Sequence, residues 1–121
     1  MQRVRLRKEF DPLAFLELFW SEPIIEQPTE GYRCYESIDT SGMTLRLGIN
    51  SIEESVQIDL KVADKPVAKF SFELVEYIDI IDTDRGLFSF STSAESSNLE
   101  AEVKVELRPQ IQVSGATLRI K

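Results

Sequence analysis

The chain has 121 residues, 42% hydrophobic and 29% charged, and its 21 acidic residues outnumber 14 basic ones for a formal net charge of −7. That length fits a single domain, residues 1–121, which buries roughly two-thirds of its extended-chain surface, and the composition lies outside the regime that forces disorder. Residues 1–8 contribute +4, so the remaining chain carries −11, and an acidic body of this kind repels phosphate backbones and excludes a general nucleic-acid partner.

At the N-terminus, Arg3, Arg5 and Arg7 alternate with Val4 and Leu6, the two-residue period of a half-buried strand. The arginines are expected to pair with acidic residues of a neighbouring strand, each pair adding about 0.2–1 kcal/mol, rather than to form a basic arm for an anionic ligand. No apolar run of the kind a signal peptide needs follows them. Asp11-Pro12 then marks a helix start, with Asp as N-cap and Pro at the first helical position. The helix is expected to run to about Trp20. Its Leu13, Phe15, Leu16, Leu18, Phe19 and Trp20 leave only Ala14 and Glu17 for a solvent stripe, so it must be covered, here by a sheet. This apolar stretch contains Glu17 and is far too short to span a bilayer, so no membrane association is expected.

Pro23, Pro28 and Gly31 punctuate a connector over 21–31 that is expected to contain no regular strand, with Ile24 and Ile25 pinning it to the core. From Tyr32 onward alternation dominates. Tyr32 to Ile38 forms a strand closed by Thr40-Ser41-Gly42. Alternating runs follow at Met43–Ile49, Val56–Val62, Leu99–Leu107 and Ala116–Ile120. In residues 66–82 one face carries Ala68, Phe70, Phe72 and Leu74, and from Val75 the second face also turns apolar. The chain therefore either bends near Val75 into a second sheet or lies beneath the N-terminal helix. Asp82 to Gly86 reads as a hairpin loop into a strand with Phe88 and Phe90 inward, Ser93 to Asn98 as a polar loop, and Arg108-Pro109 as an edge or bulge. The fold expected is mainly β (α+β): an antiparallel sandwich or strongly bent sheet of about eight strands, with one short N-terminal helix packed on it.

The chemistry of known sites is largely missing. There is no histidine, which removes Ser-His-Asp and Cys-His pairs and the commonest general base. The single cysteine, Cys34, cannot form an intramolecular disulfide. It is expected as a buried structural thiol, pointing away from Arg33, in a reducing, cytoplasmic setting. Asp82-Thr83-Asp84-Arg85-Gly86 resembles a calcium loop but lacks the third acidic ligand and the closing glutamate, a place taken by Ser93. The five glycines are scattered and form no phosphate loop. No catalytic residue, metal or cofactor is expected.

The function expected is therefore a non-catalytic protein-binding domain of the inhibitor type, steered by its acidic surface toward a basic protein partner. In size, charge and lack of catalytic residues such a domain resembles bacterial immunity proteins, although no motif carries the likeness and no family follows from it. The expected contact residues are Glu100, Glu102 and Glu106 on one strand face, and Glu53 and Glu54 in a turn. Two alternatives stand beside this reading. One is a structural subunit that self-assembles as a homo-oligomer through its apolar helix or a strand edge. The other is a small-ligand binder or enzyme with a pocket between helix and sheet, using carboxylates or Tyr32, Tyr35 and Tyr77.

Overall fold

A computed structural model describes residues 1–93 and 99–119, with side chains described for 1–92 and 101–115. Among these residues the alternating runs become ten strands and one helix. In chain order they are β1 (Gln2–Arg5), α1 (Pro12–Phe19), β2 (Ile25–Gln27), β3 (Tyr32–Ile38), β4 (Met43–Asn50), β5 (Ser55–Val62), β6 (Lys65–Phe72), β7 (Tyr77–Asp82), β8 (Leu87–Ser93), β9 (Leu99–Glu106) and β10 (Gln112–Arg119). They form two five-stranded antiparallel sheets packed as a sandwich, ordered β1-β7-β8-β9-β10 and β2-β3-β4-β5-β6.

Register converts alternation into layers. In the first sheet Val4 lies opposite Ile78, Ile78 opposite Phe90, and Phe90 opposite Val103. In the second sheet Tyr35 lies opposite Leu47, and Leu47 opposite Ile58. All seven are buried in one hydrophobic cluster, as are Leu6, Leu45, Ile49, Val56, Ile80, Phe88 and Val105. Because side chains alternate across a strand, the intervening residues form the two outer faces.

The chain changes sheets where the 66–82 pattern changes. Phe72 still faces the core and meets the edge of the Phe90 ring at 5.2 Å. Leu74 then takes φ 57°, Val75 is buried, and its N–H donates to the Glu54 carbonyl at 2.8 Å. Tyr77 opens β7 in the opposite sheet. The expected bend near Val75 is thus present, and it divides that segment into two strands. This division, with β2, raises the count from about eight to ten. The connector does contain a strand: β2 pairs with β3, placing Ile25 opposite Cys34. Ile24, just before β2, and Ile25 are exposed rather than pinned to the core, because β2 is the outer edge strand of the second sheet. For the same reason Phe70, on the edge strand β6, is partly exposed although it lies opposite the buried Ile58.

Helix α1 begins as its sequence indicates, with Asp11 Oδ1 accepting the Leu13 N–H at 3.1 Å. It lies between β3 and β7 at the open side of the sandwich, burying Ala14, Phe15, Leu18 and Phe19. Phe15 and Phe19 stack on Tyr35 with ring centroids 5.5 and 5.3 Å apart. The solvent stripe differs from expectation: Ala14 is buried, while Leu13 and Trp20 join Glu17 outside. A helix wedged between two sheets covers the 14-15-18-19 face, which turns residues 13 and 20 outward.

The Asp82–Gly86 loop joins β7 to β8 as expected, with Asp82 Oδ1 accepting the Asp84 N–H at 2.9 Å. Gly86 has φ 61°, and a Cβ there would lie 2.6 Å from Leu107 Cβ, so both backbone and space demand glycine. Pro109 lies in the β9–β10 connection, not within a strand edge or bulge. β10 begins at Gln112, before the alternation at Ala116, whose side chain, like that of Leu118, lies outside the described part. Ile120 and the 94–98 part of the polar loop lie wholly outside it.

Candidate functional site

The acidic candidates occupy two separate places. Glu53 and Glu54 sit in the β4–β5 turn, whose backbone is shaped by Asn50 Oδ1 accepting the N–H groups of Ile52 at 3.1 Å and Glu53 at 2.9 Å. Glu53 is exposed. Glu54 takes φ 53° and its carboxylate lies 3.9 Å from Arg7 Nη1. Glu102 and Glu106 belong to β9 on the outer face of the first sheet, with Lys104 between them on that face. Glu102 is exposed, whereas Glu106 is largely covered and ion-paired with Arg85 at 2.8 Å. Glu100 belongs to β9, but its side chain lies outside the described part. By register a mixed row crosses this sheet, from Arg3 through Asp79, Ser89 and Lys104 to Ser114. Arg3 forks onto Asp79 at 2.8 and 3.1 Å, the cross-strand pairing expected of the N-terminal arginines.

The groups considered for catalysis do not converge. Tyr35 is inside the sandwich, and burial pushes its hydroxyl up to about 12. Tyr77 lies on the outer face of the first sheet, under the Arg3 guanidinium at 3.8 Å. Tyr32 lies on the outer face of the second sheet, across Gly48, where a Cβ would come 2.9 Å from its hydroxyl oxygen. Cys34 is buried beside Tyr32, and burial raises its thiol further above its ordinary value than the Tyr32 hydrogen bond lowers it. Arg33 points to the other face, pairing with Glu26 at 3.0 Å. Among the described residues no group of three or more His, Cys, Asp or Glu side chains is placed to hold a metal, and no helix is long and apolar enough to cross a membrane.

Where α1 ends, the β3–β4 hairpin and the β9–β10 connection approach it and leave an open groove of about 640 Å³. Trp20, Ile38 and Pro109 line it, with Arg108, Glu36 and Asp39. Trp20 is 63% exposed and Ile38 is 65% exposed. Arg108 fixes one wall: its guanidinium donates to the carbonyls of Leu18 at 2.9 Å, Thr83, and Asp84 at 2.9 Å, and lies 3.5 Å from the Trp20 ring centroid. Asp39 fixes the other. Its Oδ1 accepts from the Ser41 hydroxyl at 2.7 Å and the Met43 N–H at 3.0 Å, and its Oδ2 from the Ile111 N–H at 2.9 Å. Desolvation alone would raise the Asp39 carboxyl, but these bonds outweigh it and hold it at about 2. The available sequence signal was a tryptophan at the helix C-cap, a left-handed position where glycine is usual.

No protein-family model matches the chain, and no curated protein matches its sequence. Among solved structures, it is similar to a chain of the contact-dependent growth inhibition toxin–immunity protein complex from Klebsiella pneumoniae 342. The TM-score is 0.81 at 15% identity, over 95% of this chain and 100% of that one. At that identity the likeness is one of fold.

Proposed function

We propose that this chain is an immunity-type protein, a non-catalytic domain that binds a toxin domain and blocks it, with a basic surface on the toxin side. The observation that carries the reading is the near-complete backbone likeness to a chain from a toxin–immunity complex. Two features support the non-catalytic role. The space between helix and sheets is filled by Phe15, Phe19 and Tyr35, and the three tyrosines lie in three different environments. A net charge of −7 favours encounter with a basic partner in the cytoplasm. In this reading Glu53, Glu54, Glu100, Glu102 and Glu106 contribute steering charge around the contact.

The test is co-expression with the product of the gene directly upstream in the native genome, first assayed alone for growth arrest. Rescue of growth, with an equimolar complex that dissociates as salt is raised, is the expected result. Continued cell death, with the chain purifying alone at low salt, removes the reading.

A further inference from the structure

The toxin-binding reading leaves open which surface makes the decisive contact. Taking that reading as its premise, we infer that the contact is anchored in the groove of Trp20, Ile38, Pro109 and Arg108, and that its occupant is a basic segment of the toxin which inserts an apolar side chain there.

Three observations converge on this groove. First, its composition is that of an interface anchor: tryptophan and arginine dominate binding energy when they sit in pockets that partners desolvate. Here a tryptophan is stacked on an arginine already held by three backbone carbonyls, so little side-chain freedom remains to be lost on binding. Secondly, Trp20 is a bulky residue with φ 59°, at a cap that glycine would fill without strain. The exposed ring stacks on Arg108 but is no part of the core, and strain of this kind marks positions retained for another reason. Thirdly, charge selects the partner's chemistry. The Glu36 and Asp39 carboxylates line the groove itself, and exposed Asp84 lies close enough to act on the Arg108 charge, so carboxylates outnumber the Arg108 guanidinium around the apolar floor. The competing apolar patch, Val67 and Phe70 on β6, is interspersed with Lys65 and Lys69 and repels a basic partner.

Trp20 is the only tryptophan, so a single 5-fluorotryptophan incorporated in this chain alone reports on the groove by ¹⁹F resonance. The probe is that upstream gene product, purified after it has been shown to arrest growth on its own. Its addition is expected to shift that resonance and protect it from solvent. Trp20→Gly is expected to keep the fold, since glycine suits the cap, while speeding dissociation about 30-fold or more with the association rate nearly unchanged. Ile38→Lys is expected to act in the same direction. A toxin that binds while the resonance stays unmoved and Trp20→Gly keeps its affinity overturns the groove and leaves the immunity reading standing. A toxin that does not bind the wild-type chain at all overturns both.

Discussion

Asp39 holds together two hairpins that are far apart in sequence, through one carboxylate. Its hydrogen bonds bring its pKa from the ordinary 3.8 to about 2. Between those values the unfolded chain takes up a proton that the folded chain refuses. This contribution to stability is therefore present above about pH 4 and is lost as pH falls toward 2. Asp39→Asn, neutral throughout, is expected to lower stability at pH 7 by about 1 kcal/mol and to flatten this acid limb, as read from urea midpoints between pH 2.5 and 7. Arg108 has the complementary role with cationic chemistry, joining the end of α1 to the β7–β8 loop through carbonyl groups rather than a carboxylate. Arg108→Met keeps the aliphatic stem and loses these bonds. Urea denaturation is expected to show a loss of about 2 kcal/mol, where an exposed arginine would show almost none.

The helix is the element that closes the sandwich. Short and apolar, it has little stability of its own and draws it from the face against Tyr35. Phe15 is fully buried and stacked on both Phe10 and Tyr35. Phe15→Ala is expected to cost about 3–5 kcal/mol in chemical denaturation, because neither sheet can move in to fill the space. The strands manage their edges differently. Edge strand β6 carries Lys65, Pro66 and Lys69, residues that discourage pairing with another chain, and β2 is only three residues long. The two-residue turn between β5 and β6 is Ala63-Asp64 with φ 50° and 66°, a geometry usually supplied by Asn-Gly.

At the scale of the whole molecule, steering and anchoring become separate properties. Under the proposed toxin contact, charge spread over two sheets would act on encounter, whereas one groove would act on residence. The double reversal Glu53→Lys with Glu102→Lys is expected to slow association with the proposed toxin partner several-fold and to reduce its salt dependence, with dissociation nearly unchanged. Stopped-flow mixing at two ionic strengths reads both quantities. The ion-paired Glu106 is a weaker steering group than exposed Glu102, because Arg85 already cancels most of its field.

Period-two alternation by itself determined the strands other than β2 and, Phe70 apart, the inward set from Leu45 to Val105, while the Asp11-Pro12 signature determined the helix start and a lone thiol in a strand the buried state of Cys34. Each of these depends on neighbours a few residues away, or on the simple demand that one face be dry. The bend at Val75 was legible as one of two solutions to a segment apolar on both sides. The β2 strand, the glycine-free turn at Ala63-Asp64 and the exposure of Ile24, Ile25 and Phe70 were not, because edge position is a property of the assembled sheet. The candidate site divides in the same way. Acidic residues are visible in the sequence, but their pairing with Arg7 or Arg85 exists only after folding. The groove at Trp20 is made by Trp20, Ile38 and Arg108, three residues far apart in the chain that only the tertiary structure brings side by side.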